Sequence, residues 1–249
     1  MSVVVSNIRE RAVSAGIDLD RLPVHVAVIM DGNGRWAQSQ GLHRLVGHQE
    51  GYRSLARVLS MASDLGILHL TVYGFSAENW RRPGDEVAGL MTLIADAALA
   101  ELDGLKQSNV RTRISGRLDE IPSPTREALR QLEVETAENT GIEFILAINY
   151  GGRAEIVDAC RRTIREGWSP EDVTEESLSQ LMYCPDTPDP DLMIRTAGEM
   201  RWSNFLIWQA AYAELYVTQT TWPEFGEAEL FEAVKQFQNR TRKFGGLAE

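Results

Sequence analysis

At 249 residues, with 43% apolar and 24% charged side chains, the chain can bury a full core without disulfide or metal staples. A formal net charge of -11 repels phosphate backbones and argues against a nucleic-acid partner, while leaving room for a local cationic pocket. Cys160 and Cys184 form no C-x-x-C pair, residues 1–20 are broken by Arg9, Glu10 and Arg11, and no stretch reaches the roughly 20 apolar residues of a spanning helix, so a cytoplasmic protein is expected.

The first predicted element is a buried strand over 24–30, a short β-branched run stopped by Asp31-Gly32-Asn33-Gly34. A helix follows over 43–65, where Leu55, Val58, Leu59 and Ala62 recur at helical spacing and Gly66 closes the end. The alternation continues with strands over 68–75, 110–115 and 142–149 and helices over 84–105, 124–137 and 151–166. A short strand over 192–195, a helix over 202–212, an extended segment over 214–217 and a helix over 227–241 complete the pattern. Strand and helix in alternation predict an α/β fold, a central and mostly parallel sheet flanked by helices. In such sheets sites lie beyond the carboxyl ends of the strands. The residues with chemical character do follow strands.

The first such loop is Met30-Asp31-Gly32-Asn33-Gly34-Arg35-Trp36. Its glycines let the backbone approach an oxyanion, and Arg35 adds a permanently charged fork. Asp31 beside a phosphate cradle calls for a cation between the two, which points to Mg²⁺. The same residues could also serve as a tight turn with a helix cap. Neither a Walker lysine nor G-x-G-x-x-G spacing is present, which argues against a nucleotide-binding module. Arg44 and His48, four apart, share a helix face that is either a solvated surface or part of the same anion site.

The second loop, Ser76-Ala77-Glu78-Asn79-Trp80-Arg81-Arg82, gathers a hydroxyl, an acid, an amide, an indole and two guanidiniums. A capping role explains Ser76 or Asn79 but not Trp80 together with Arg82. In the third, Arg195, Arg201 and Ser203 read as an anion site at a helix start, or as a surface loop with a capping serine. Glu214, inside an otherwise apolar run, is either paired or a metal ligand. Two cationic sites, an acid near each, and no Ser–His, Cys–His or catalytic Lys arrangement predict two phosphorylated substrates joined without covalent catalysis.

Taken together, His25 to Trp36, Gly47-His48, Phe75 to Trp80, Asn149 to Gly152, Asp191 to Thr196 and Arg201 to Leu206 resemble the ordered motifs of the cis-prenyltransferase family, of which undecaprenyl diphosphate synthase is the best-known member. The resemblance spans about His25 to Gly246, and the paired-aspartate D-D-x-x-D motif of trans-prenyl synthases is absent. It implies an N-terminal extension over 1–22, partly ordered, and a single catalytic domain over 23–249 with an apolar tunnel. It further implies Mg²⁺-dependent coupling of isopentenyl diphosphate to an allylic diphosphate, farnesyl or geranyl, giving an undecaprenyl-type product.

By the same resemblance Asp31 is the catalytic acid that holds the metal, Gly32, Asn33, Gly34, Arg35 and Trp36 cradle the allylic diphosphate, and Arg44 and His48 support them. Asn79 takes the position associated with proton removal, beside Ser76, Ala77, Glu78, Trp80 and Arg82. Arg195, Arg201, Trp202 and Ser203 form the isopentenyl diphosphate site, and Glu214 is a second metal-associated acid beside a homodimer interface. A peripheral membrane contact would serve product release. Met200 and Lys243 depart from the family pattern and are given no role. Leu55, Leu59, Leu90, Leu93, Ile94, Val110, Ile142 and Phe144 are candidate tunnel residues, or simply core. Gly74 leaves room for a long chain, whereas Tyr52 looks large, so a medium or long product is expected. Two rivals of the same fold are an irregular, branch-coupling synthase and a non-catalytic partner subunit; the whole Asp31–Arg35 loop argues against the latter.

Overall fold

A computed structural model describes residues 7–240; Lys243 lies outside them. Asn7 caps α1 (Ile8–Ser14), whose Ile8 and Ala12 are buried in the largest core cluster. Residues 8–22 are therefore anchored by the same hydrophobic cluster as β1 and α3. The chain continues through β1 (His25–Ile29), α2 (Asn33–Ser39), α3 (Arg44–Leu65), β2 (His69–Ser76), α4 (Gly84–Gln107), β3 (Arg111–Ser115) and α5 (Ser123–Glu135). It goes on with β4 (Glu143–Tyr150), α6 (Gly152–Glu166), α7 (Glu175–Ser179), β5 (Leu192–Arg195), β6 (Glu214–Val217) and α8 (Glu227–Gln238). The predicted α/β alternation is the observed one.

The six strands form one sheet in the order β3-β4-β2-β1-β5-β6, and every pairing is parallel. Because the sheet is covered on both faces, β1 is buried at all five positions and reads as an unbroken apolar run. Its alternate residues serve different layers. Val26 and Val28 join the cluster built with α1, α3 and α8, while Ala27 and Ile29 pack under Phe205, Leu206 and Ala210. Each fully buried Val or Leu of this kind contributes about 1.5–3 kcal/mol. At the amino end of the sheet Glu143, nearly buried, accepts hydrogen bonds from His69 Nδ1 at 3.0 Å and Thr187 Oγ1 at 2.8 Å, with Arg113 at 3.6 Å.

The helix predicted over 202–212 is not formed. Ser203, Asn204 and Leu206 have φ of 47°, 63° and 45°, a conformation that cannot propagate a right-handed helix. The segment is a chain of turns, held because Asn204 accepts from Gly152 N through its carbonyl at 2.7 Å and from Arg153 N through Oδ1 at 2.9 Å. The helical apolar spacing of Phe205, Leu206 and Ala210 came from packing against the sheet, not from helix formation.

Strand order reverses at β1, with β2 on one side and β5 on the other. A crevice therefore opens beyond the carboxyl ends of these three strands. The loops after β1, β2 and β5 meet there.

Candidate active site

The loop after β1 turns at Gly32, whose φ of +105° is a left-handed conformation open to glycine. A Cβ at Gly32 would also stand 2.9 Å from Thr221 Cβ and 3.0 Å from Ala197 Cβ. The chain then enters α2, a short helix separate from the long one. Its first amides, those of Asn33, Gly34 and Arg35, have no side-chain cap, and the first intrahelical bond runs from Trp36 N to Gly32 O at 2.8 Å. Three donors at one end are thus available to an anion. The half-buried Trp36 sits on the same helix.

This turn lies directly on α3. A Cβ at Gly47 would come within 2.0 Å of Asn33 O, and one at Gly51 within 2.5 Å of Asn33 Oδ1. The Gly47-His48 motif is therefore partly a spacing requirement. The Arg44 guanidinium lies over Gly34, 3.2 Å from where a Cβ would stand.

Glu86, in the first turn of α4, gathers two arginines and a histidine. One carboxylate oxygen faces Arg82 Nη1 at 3.1 Å, Arg44 Nη2 at 3.5 Å and His48 Nε2 at 3.7 Å. Sequence reasoning overlooked Glu86; its spacing of four from Arg82 at a helix start was the available signal. Burial lowers the His48 pKa, the Arg82 and Arg44 charges push it the same way, and Glu86 opposes them. His48 is thus neutral near pH 7. His48 Nε2 and Asn33 Oδ1 are buried without a hydrogen-bond partner among the described residues, and such atoms call for a ligand.

Across the crevice, Arg195 at the end of β5 is 2% exposed and donates to Asp31 Oδ2 through Nε at 2.9 Å and Nη2 at 2.7 Å. Its Nη1 donates to Ser203 Oγ at 2.8 Å and to the Arg201 carbonyl. Asp31 is therefore fixed by one oxygen, while its side chain keeps 35% exposure. Arg35 donates to Ala197 O at 2.9 Å and Glu199 Oε1 at 3.2 Å, and Arg201 pairs with the same Glu199. These arginines hold the Glu199 carboxyl below its usual range. Both are more than half exposed, and such pairs contribute about 0–1 kcal/mol, so a diphosphate can displace them. The anion site expected at a helix start is instead built from turns and a buried arginine.

The loop after β2 is a 3₁₀ turn, Ala77–Arg81, in which Ser76 N donates to Asn79 Oδ1 at 3.1 Å. Trp80 Nε1 donates to Asn149 Oδ1 at 2.7 Å, and its ring meets Phe75 edge-on at 5.1 Å. Glu78 accepts from Asn204 Nδ2 at 2.8 Å, which ties the second loop to the third.

Three neighbouring cavities share Met30, Asn33 and His48 in their walls. One, of about 730 Å³, is lined by Asp31 to Arg35, Arg44 and Arg82. Another, of about 520 Å³, is lined by Asp31, Ser76, Glu78, Asn79, Arg82, Arg195, Arg201 and Ser203. The third, of about 500 Å³ and mostly apolar, runs inward between α3, α4 and the sheet. Leu55, Leu59, Leu90, Leu93, Ile94, Val110 and Phe144 line it, of which Leu59, Leu90, Val110 and Phe144 also belong to the buried core clusters, whereas Ile142 belongs to the core alone. Gly74 also lines it, although a Cβ there would meet Leu146 and Ile148 at 2.8 and 2.9 Å. Its smallness serves strand packing as much as tunnel width.

The remaining sites lie apart. Trp202, partly buried, packs against the core cluster that holds Phe205, and Met200 is exposed. Glu214 begins β6, three residues before Val217, which pairs with Arg195. At a rise of about 3.3 Å per residue that is roughly 10 Å from the Arg195 level. Its carboxylate pairs with Arg240 at 2.6 Å, so the fold does not bring it to Asp31 within one chain.

The family model described as "Putative undecaprenyl diphosphate synthase" matches residues 29–245. An isoprenyl transferase of Heliobacterium mobile is 47% identical over 96% of this chain and 93% of its own length, and one of Fusobacterium nucleatum is 47% identical over 91% and 97%. Among solved structures, lavandulyl diphosphate synthase from Lavandula x intermedia, in complex with dimethylallyl diphosphate, superposes with a TM-score of 0.88 at 36% identity, covering 91% of this chain and all of that one. A probable undecaprenyl diphosphate synthase from Campylobacter jejuni gives 0.77 at 32% identity, with 90% and 99% covered. With the family's motifs gathered around one crevice and matched across nearly the whole length, the chain belongs to the cis-prenyltransferase family of isoprenyl transferases.

Proposed function

We propose that the chain couples isopentenyl diphosphate to an allylic diphosphate, farnesyl or geranyl, and repeats the addition to make a long Z-polyprenyl diphosphate of the undecaprenyl type. The observation that carries this reading is the meeting of two cationic cavities at Asp31, above a third cavity that is apolar. Two diphosphates need two cationic seats, and a growing hydrocarbon needs the third space.

Mg²⁺ fits this site. It is held in enzymes by one or two carboxylates together with substrate phosphate oxygens. Asp31 offers one oxygen beyond those engaged by Arg195, and no group of three His, Cys, Asp or Glu forms a closed cage among the described residues. Bound there, the ion would neutralise charge on the diphosphate. Glu214 would act from a second copy in a homodimer.

The Asn33, Gly34 and Arg35 amides, with Arg35, Arg44 and Arg82, seat the allylic diphosphate and stabilise the charge that grows as its C–O bond breaks. Arg195, Arg201 and Ser203 seat the isopentenyl diphosphate, whose double bond attacks the allylic carbon. Loss of a C2 proton then sets the new alkene. Asn79 is an uncharged amide whose oxygen already accepts from Ser76 N, so it orients a group and does not take the proton itself. A diphosphate oxygen is the base at hand. Trp80 and Glu78 fix the loop over the substrates.

A second reading, irregular branch coupling, has one observation in its favour, the similarity to lavandulyl diphosphate synthase. The apolar cavity of about 500 Å³ favours elongation. We also propose a cytoplasmic reaction with peripheral membrane contact at product release. No described helix is long and apolar enough to cross a membrane. The test supplies purified protein with labelled isopentenyl diphosphate, a geranyl or farnesyl starter and Mg²⁺, with a chelator control. Linear lipids longer than the starter, lost on chelation, are expected. A branched product or none would overturn the reading.

A further inference from the structure

The apolar cavity is bounded by α3, α4 and the sheet face carrying Phe144 and Leu146, and one polar pair bridges its helical walls. The Tyr52 hydroxyl donates to Glu101 Oε1 at 2.5 Å, joining α3 to α4. Tyr52 stands four residues beyond His48 on α3, about 6 Å deeper than the diphosphate mouth. Both side chains line the cavity and both are half-buried. Burial first, then Glu101, raises the Tyr52 pKa, so the hydroxyl stays a donor throughout the neutral range.

The position of the pair in the wall gives it a function. Leu55 and Leu59 on α3 face the interior, whereas Ala56, Ser60 and Asp64 on α3, Gly104 on α4 and Ser108 just past its end line the cavity yet are exposed. The two helices therefore leave an outer seam open along the distal part of the cavity. Tyr52 and Glu101 close that seam nearer the mouth. A hydrocarbon passing this level cannot replace their hydrogen bond, so widening the wall there leaves a carboxylate and a hydroxyl without a partner.

We propose that the Tyr52–Glu101 bond is a strap that determines product length. It holds α3 and α4 together, keeps the passage narrow at its own depth and limits growth into the distal, side-open part of the cavity. This inference rests on the chain-elongating reading above. Tyr52→Phe keeps the ring and removes the donor; Glu101→Leu removes the acceptor; Glu101→Gln keeps one. Each is assayed with farnesyl diphosphate and labelled isopentenyl diphosphate for product length by reversed-phase chromatography and for the rate of the first condensation.

Tyr52→Phe and Glu101→Leu should lengthen the mean product by one isoprene unit or more, with first-condensation rates within about twofold of wild type. Glu101→Gln should keep the wild-type distribution. A Tyr52→Phe distribution that is unchanged or shorter overturns the strap, because ring size alone would then govern. Absence of any elongated product from the wild-type chain overturns the elongation reading itself, and the strap with it.

Discussion

Replacing Asp31 separates its two roles. Its Oδ2 is the acceptor for Arg195, which is 2% exposed, so Asp31→Ala leaves a buried guanidinium short of its charged partner. Losing one member of a fully buried pair costs about 3–5 kcal/mol, and a charged hydrogen bond about 1.5–3. Asp31 is 35% exposed and Arg195 keeps Ser203 Oγ and the Arg201 carbonyl, which favours the lower figure, about 2 kcal/mol. For a chain of this size that lowers Tm by roughly 4–8 °C, so the protein remains folded at assay temperature. Loss of turnover should be far larger. A missing carboxylate at the diphosphate removes several kcal/mol of transition-state stabilisation, about a thousandfold in kcat or more. Asp31→Asn, which keeps shape and one acceptor, should recover part of the Tm and none of the turnover. The assay pairs thermal unfolding with single-turnover product formation. Near-normal turnover in Asp31→Ala, or a turnover loss that follows the Tm loss across both variants, would refute the assignment.

Further outcomes are expected from the same contacts. Gly47→Ala puts a Cβ within 2.0 Å of Asn33 O, so it should cost about 1–3 kcal/mol and raise KM for the allylic diphosphate as α2 is pushed from α3; a melt and a KM series check this. Glu86→Ala releases Arg44, His48 and Arg82 from their shared carboxylate; losing about 1 kcal/mol of positioning should raise diphosphate KM roughly fivefold with less effect on Tm, read by steady-state kinetics. Burial pushes Glu143 upward, but His69, Thr187 and Arg113 outweigh it and hold its carboxyl at about 2. With the folded pKa depressed, its stabilisation is present above the unfolded value of about 4.3 and is lost as pH falls toward 2. The stability gap between wild type and Glu143→Gln, on the order of 1–2 kcal/mol after solvent screening, should shrink across that window in denaturant titrations.

The strands were legible because parallel strands covered on both faces must be continuously apolar, as β1 is. The long helices were legible through their apolar faces and, for α3, the closing Gly66 at φ +109°. The turn after β1 was legible as well, since Gly32, Gly34 and Arg35 are local chemistry in one short segment. The segment 202–212 misled because its apolar residues fall at helical spacing while Ser203, Asn204 and Leu206 take left-handed φ, a choice imposed by contacts with Gly152 and Arg153. Glu86 escaped notice because its partners Arg44 and His48 lie on another helix.

By itself, the sequence determined the alternation of elements and the residue types of each loop, since both are written in local spacing and composition, and its ordered motifs carried the resemblance to the family. Only the tertiary structure decided which charges meet. It clamps Asp31 with Arg195, gathers Arg44, Arg82 and His48 around Glu86, moves Glu214 away to Arg240 and bridges α3 to α4 through Tyr52 and Glu101. The reason is physical: a periodicity fixes which face of an element is buried, but pairing between elements depends on strand order, register and the angles at which helices cross. Those follow from the packing of the whole core.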